Sequence, residues 1–372
     1  MPRNKTAKRK LSHIQTTLHE QVQSHVSTGF DDVRLIHKAL PEIDRDEIDL
    51  SIELFGHKVQ APLIIESMTG GTALAAKINQ TLAKVAQKLG IGMGVGSQRA
   101  GIEDESLAYT YRVARETAPS IPLFANLGCP QIACEDGLDR AKKAVDMIDA
   151  TGLFIHLNAV QESVQFEGET DFKNMISRIG QLADALAVPV LVKETGAGIS
   201  METARALEQV GVKGIDVSGM GGTSWAAVEY YRAREKKYKL QTELGATFWD
   251  WGTPTVPSIV EVANSTNLKV FASGGVRNGL HIAKAIALGA DYGGLALPML
   301  KSVSSGEDAA VTRLTTVIEE LKNAMFLTGS RNLKQLQQAP MVITGTTYQW
   351  LIQRGFDPGR YATRSAKSSK DM

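Results

Sequence analysis

Residues 155–163 read IHLNAVQES, so an apolar run, GLFI, gives way within a few positions to His156, Asn158, Gln161 and Glu162. Four polar groups at one end of a buried strand mark either the point where the strand reaches solvent or the floor of a site. Lys193, in PVLVKE, adds a cation at the same kind of position. It could be a Schiff-base nucleophile, a counter-ion for a bound cofactor, or an ion-pair partner of Glu194. Strand neighbours face opposite ways, which argues against Glu194. No second lysine lies nearby in sequence to depress its pKa, so the counter-ion reading comes first. Two glycine-rich turns, SGMGGTSW at 218–225 and ASGGVRNG at 272–279, would let backbone N–H groups approach an anion. The second opens the helical pattern NGLHIAKAI, whose N-terminus adds positive potential, and together the turns predict a bound phosphate group.

These groups can meet only if the elements that carry them converge. From residue 61 a unit of apolar run, polar turn and helical pattern recurs, with the runs APLIIES, GIGMGVGS, PLFANL, LFIHLN, PVLVKE, GIDVSG, KVFASGG and YGGLALP. Segments such as AAKINQTLAKVAQKLG carry apolar residues at helical spacing. Eight strands alternating with helices predict an α/β protein, a (β/α)8 TIM barrel over residues 61–350. A doubly wound open sheet usually has fewer strands and a G-x-G-x-x-G first turn, which SMTGGTAL does not match. In a barrel the site lies at the C-terminal strand ends. Those ends carry Ser67, Met68 and Thr69; Ser97, Gln98 and Arg99; Asn126; His156 and Asn158; Lys193; Ser218; Gly274 and Gly275; and Ala296 and Leu297. Parity puts Phe154, His156 and Asn158 inside the barrel with Phe124, Asn126, Leu191 and Lys193, and sets Leu153, Ile155 and Leu157 against the helices. Residues 1–60 form an N-terminal extension in which IDLSIELF alternates like a strand. Residues 224–256, rich in Trp and Tyr, read as an insertion after the sixth strand, and 351–372 as a C-terminal tail that ends in a solvated ATRSAKSSKDM.

Composition narrows the function classes. Of 372 residues, 43% are hydrophobic and 22% charged, as in soluble globular proteins. A formal net charge of +1 excludes a general nucleic-acid binder, which would be strongly basic. No apolar run approaches the roughly 18 residues that a membrane span needs. The start, MPRNKTAKRK followed by LSHIQTTL, is too polar for a signal-peptide core. Cys129 and Cys134 make neither a four-ligand metal pattern nor a disulfide framework, so a reduced, cytoplasmic protein is expected.

RKLSHI at 9–14, SMTGG, GVGSQR, HLNAVQE, VKETGAGIS, SGMGGTSW, FWDWGTPT and ASGGVRNG together resemble the type 2, flavin-dependent isopentenyl diphosphate isomerases over nearly the whole chain. One position departs from the family pattern: Phe166 stands where a proline is expected. The resemblance implies a barrel that binds FMN, active when reduced, with NADPH as reductant, and that assembles as a homotetramer or homo-octamer. It implies that Ser67, Met68, Thr69, Ser97, Asn126, Lys193, Ser218, Thr223, Gly274, Gly275, Arg277, Ala296 and Leu297 hold the flavin and its phosphate. Arg9, Lys10, His13, Ser97, Gln98, Arg99, His156, Asn158 and Gln161 match substrate-binding positions, and Glu162 matches an Mg²⁺ ligand that bridges to the diphosphate. Gln161, His156 and Lys193 are the expected catalytic set.

The implied reaction, a step of isoprene biosynthesis, shifts a terminal double bond inward by protonation at C4 and proton loss at C2, without net redox change. Strong general acids look absent from the predicted floor, which leaves the proton to the reduced flavin. Lys193 beside the flavin N1–C2=O edge would favour the reduced anion. Among rivals, a 2-hydroxy-acid oxidase on the same barrel would need a histidine base after the sixth strand, and an IMP dehydrogenase-like enzyme would need a cysteine there. SGMGGTSW contains neither. A non-catalytic phosphate-ligand barrel would not need the polar floor at 156–162.

Overall fold

The computed structural model describes residues 3–364. Its centre is a closed parallel barrel of eight strands: β1 (Leu63–Ile65), β2 (Gly92–Gly94), β3 (Leu123–Gly128), β4 (Gly152–His156), β5 (Val190–Lys193), β6 (Gly214–Asp216), β7 (Lys269–Ala272) and β8 (Tyr292–Leu295). Each coincides, to within one residue at an end, with one of the eight expected runs. The strands are mostly apolar because both faces are buried, one in the barrel and one under helices. Parity divides them as expected. Ile64, Phe124, Phe154, Leu191, Phe271 and Tyr292 form the inner cluster, while Leu153, Ile155 and Val192 join the outer layer against the helices. Inside, Phe124 lies 5.3 Å from Phe154, Phe154 5.7 Å from Phe271, and Phe271 4.7 Å from Tyr292, centroid to centroid. The lower half of the barrel is therefore filled, and a ligand can enter only from above.

Helices needed below are α1 (Arg3–His19), α2 (Ala73–Leu89), α3 (Ala159–Val164), α4 (Trp225–Glu235), α5 (Lys239–Thr247), α6 (Gly279–Leu288), α7 (Leu297–Ser304) and α8 (Gly345–Gln353). The alternating stretch before the barrel is a hairpin, Ile52–Leu54 with His57–Val59. Its Leu54 and Val59 join the inner cluster, so the hairpin plugs the bottom of the barrel. The expected insertion comprises α4 and α5, after which the helix Thr255–Ser265 returns the chain to β7. Val22 packs with Ala227 and Val228 under Trp225, Tyr231 and Trp249, which fastens the N-terminal extension to the insertion.

The C-terminal expectation needs correcting. Helix α8 runs across residue 351, and Arg354 donates to Glu202 and Glu261. Tyr361 is 1% exposed, and Arg364 donates to the Ala287 and Gln337 carbonyls. Residues 351–364 therefore pack on the body, because apolar Leu351 and Tyr361 have cover to gain there. The rest of the expected tail, 365–372, lies outside the described residues. A short antiparallel pairing joins Val33–Leu35 to Met341–Ile343, tying the two ends of the described chain together.

Candidate active site

One cavity opens at the C-terminal ends of the strands. Every residue expected to hold a flavin lines it: Ser67, Met68, Thr69, Ser97, Asn126, Lys193, Ser218, Thr223, Gly274, Gly275, Arg277, Ala296 and Leu297. So do Arg9, Lys10, His13, Arg99, His156, Asn158, Gln161 and Glu162. Gln98 does not. It is fully buried, its amide donates to the Ala144 carbonyl at 2.8 Å, and its oxygen accepts from Asn126 N at 2.9 Å. The backbone turns into helix at that point, so the strand-end position faces the fold and Gln98 serves to fix β3.

The two glycine turns meet each other backbone to backbone. A Cβ at Gly274 would fall 2.2 Å from Gly219 N, and one at Gly275 2.3 Å from Thr28. Both glycines have positive φ, 88° and 71°, where only glycine is unstrained. The cradle differs from the expected one in a single respect. The N-terminus of α6 is already occupied, since Asn278 caps it and Gly279 N donates to Glu320. An anion is left with the 274–277 loop, the uncapped start of α7 at Ala296, and Arg277. Among the described residues Arg277 bonds neutral groups, Gln23 and the Val276 carbonyl, which leaves its charge for a phosphate. Ser67 Oγ is buried with no hydrogen-bond partner among the described residues. These groups fit a flavin mononucleotide.

Across the cavity, α1 brings Arg9, Lys10 and His13 to the mouth. Lys10 donates to the Ser97 carbonyl and to Tyr111 Oη at 2.7 Å. Burial, then the neighbouring Arg9, pulls Lys10 down to about 7. Arg99 is shared between Glu103 at 2.8 Å and Glu169 at 2.9 Å. His156 Nδ1 lies 2.8 Å from Asn126 Oδ1, and burial followed by the charge of Lys193 holds it down to about 3, so the ring is neutral. Asn158, just past the strand as the cap of α3, donates to Gln161 Oε1 at 3.2 Å and to Glu162 Oε1 at 2.8 Å. Glu162 also accepts from Gln165 and from Glu169 N. The described residues contain no cluster of three or more His, Cys, Asp or Glu placed to hold a metal. A single rigid carboxylate suits a Mg²⁺ ion that takes its other ligands from phosphate and water, so Glu162 fits that role.

Three carboxylates escaped the sequence reading. Lys193 is not a lone cation: Asp216 lies 3.4 Å away and Glu66 3.9 Å away, so the expected absence of carboxylic acids from the floor is corrected. Both sit at the ends of recognised strand runs, beside the Ser67 and Ser218 that were selected. Glu229, on α4, accepts from His13 at 2.9 Å and Gln161 at 3.1 Å and pairs with Arg232. Burial opposes its ionisation, but these partners hold its carboxyl below the usual range. The E-x-x-R spacing in AVEYYR was the available signal. Lys193 itself bonds the Glu194 carbonyl, while the Glu194 carboxylate turns to the amides of residues 195–197. Phe166, the departure from the family pattern, lies against Tyr238 at 4.9 Å and under Lys236 at 4.3 Å.

Residues 3–116 and 157–343 match the model of a family described as FMN-dependent dehydrogenase. The chain is 49% identical over 354 residues to an isopentenyl-diphosphate delta-isomerase of Thermococcus onnurineus, covering 93% of this chain and 94% of the relative. It is 45% identical over 357 residues to the protein of that name from Methanothermobacter thermautotrophicus, covering 96% and 99%. Among solved structures, a lactate oxidase of Pediococcus acidilactici aligns with a TM-score of 0.64 at 18% identity, over 92% of this chain and 94% of that one. A flavocytochrome b2 aligns with a TM-score of 0.65 at 18% identity, over 87% and 81%. Likeness at that distance carries the barrel alone.

Proposed function

The chain belongs to the isopentenyl-diphosphate delta-isomerase family, on a barrel of the FMN-dependent dehydrogenase type, and from that premise we propose that it interconverts isopentenyl and dimethylallyl diphosphate using reduced FMN and Mg²⁺. The observation that carries the reading is a single cavity in whose lining a phosphate cradle around Gly275 and Arg277 and a second cationic group, Arg9 and Lys10, stand on separate elements above a polar floor. One anionic ligand does not need both poles; a flavin phosphate and a substrate diphosphate do.

Arg9, Lys10 and Arg99 take the diphosphate, with Glu162 holding Mg²⁺ against its oxygens. Phosphate charge beside Lys10 offsets what burial removes, so substrate arrival restores its proton. Neutral His156 and Gln161 orient the substrate by hydrogen bonds, and Glu229 fixes Gln161 from behind. Lys193 supplies positive charge at the floor, Ser67 and Asn126 offer hydrogen bonds, and the 274–277 loop with Arg277 takes the flavin phosphate. When bound, reduced FMN supplies an electron-rich ring beside which an alkene can gain one proton and lose another without net oxidation. NADPH is the proposed reductant and a homotetramer or homo-octamer the proposed assembly. Among the described residues no helix is long and apolar enough to cross a membrane.

The test is an anaerobic isomerase assay of purified protein with FMN, Mg²⁺ and NADPH omitted in turn. Activity should require all three, and dithionite should replace NADPH. Product formed should far exceed NADPH oxidised, and product made in deuterated water should carry deuterium in the new methyl group. Stoichiometric oxidation of NADPH per product would instead make the protein an ordinary flavin oxidoreductase.

A further inference from the structure

At the floor of the cavity, three ionisable side chains are buried together: Glu66 after β1, Lys193 of β5 and Asp216 of β6, exposed by 3%, 6% and 0%. Asp216 Oδ1 accepts from Ser273 Oγ at 2.7 Å and from Ser218 N at 3.2 Å. Among the described residues, Asp216 Oδ2 and both oxygens of Glu66 receive no well-aligned hydrogen bond, although each carboxylate has an oxygen facing Lys193. Gly294 closes the remaining side, since a Cβ there would fall 2.1 Å from Glu66 Oε1. The site is thus built around a carboxyl group that the floor leaves without a donor.

Ionised carboxylates only accept hydrogen bonds, and two of them beside one ammonium in a dry site cannot both stay charged cheaply. A proton on Glu66 resolves the arrangement. It turns one acceptor into a donor toward the neighbouring Asp216 carboxylate. The other groups that face the cluster do not alter this count. His156 from β4 is neutral, Ser273 and Gly294 from β7 and β8 carry no charge, and the Glu194 carboxylate is occupied by three amides.

We propose that Glu66 stands as a neutral carboxylic acid donating to Asp216, and that this shared proton makes it a positioning residue for the flavin site. With Glu66 neutral, Lys193 faces one negative charge from below instead of two, and its ammonium remains available to a reduced, anionic ring above. Burial, then the charge of Asp216, pushes Glu66 well above the ordinary carboxyl range, in agreement. Burial alone would lower Lys193, but Asp216 and Glu66 more than offset it. The part that concerns the ring rests on the FMN reading; the location of the proton does not.

Infrared difference spectra of the purified holoprotein at pH 8 test the proton directly, above the value of about 7 to which burial lifts Glu194. A carboxylic-acid carbonyl band that shifts on labelling glutamate side chains with ¹³C, and not on labelling aspartate, is expected, and it should vanish in Glu66→Gln. Absence of such a band overturns the proposal, and the labelled wild-type protein decides this even where the variant fails to fold. The second arm is the ratio of reduced to oxidised FMN affinity, read from the bound flavin's midpoint potential. An amide mimics a neutral acid, so Glu66→Gln should change the ratio by less than about tenfold, or about 30 mV for two electrons. A larger rise, as expected if the substitution removed a charge, overturns it. A protein that shows the band but takes up no flavin would refute the functional reading and leave the shared proton standing.

Discussion

At the level of single residues, the site is decided by which charges are already matched. Glu162 is held by three donors yet lines the cavity, so Glu162→Gln should retain FMN absorbance while Mg²⁺-dependent kcat/KM falls at least about 100-fold, the upper range of lost metal-site contacts. Wild-type metal dependence in that variant would remove the assignment. Lys10 gives a pH signature. In the free protein it loses its proton as pH rises through about 7, so kcat/KM should fall above that pH while kcat stays flat, because bound phosphate keeps the proton in place. Lys10→Arg should flatten the fall, since a guanidinium does not titrate there. Much of this site was legible in the residues themselves. Strand-end position and parity found Asn126, His156 and Lys193, because alternation fixes which side chains turn inward. Glu66 and Asp216 were passed over because acids in apolar runs declare nothing until the barrel closes and sets them beside Lys193. Gln98 was overread for the opposite reason: its polarity serves a turn, and only the local backbone shows that.

At the level of elements, the N-terminal helix α1 spans the cavity mouth and is fastened at two points, Lys10 to Tyr111 and His13 to Glu229. Removing residues 1–10 should therefore raise KM for the diphosphate by more than about tenfold, given about 1.5–3 kcal/mol for each charge-assisted contact, and should spare flavin binding. Steady-state kinetics beside flavin absorbance would check it; unchanged KM would return the basic run to solvent. The eight strands were readable because burial on both faces leaves short, largely apolar runs. The role of α4 was not, since its Trp and Tyr content matches plain packing and its Glu229 acts on residues about seventy and two hundred positions away in the chain. The amphipathic turn at α8 was hidden by the polar residues that follow it.

Across the whole molecule, stability gathers in a barrel core whose lower end is sealed by the Ile52–Val59 hairpin. Leu54 is fully buried there, so Leu54→Ala should lower unfolding free energy by about 2–5 kcal/mol in urea titration, with the steepness of the transition unchanged. A loss below about 0.5 kcal/mol, ordinary for a surface site, would show that the hairpin is ornament to the barrel. The pairing of Val33–Leu35 with Met341–Ile343 has a consequence of another kind, for how the protein is made. A ribosome releases Val33–Leu35 about three hundred residues before its partner, so that segment waits unpaired while every strand of the barrel is made. Contacts so distant along the chain form late and slowly. Protease protection of residues near 33 on stalled nascent chains should accordingly appear only once residue 343 has left the exit tunnel, and a chain cut short at 340 should remain open at its first strand however well its barrel has closed.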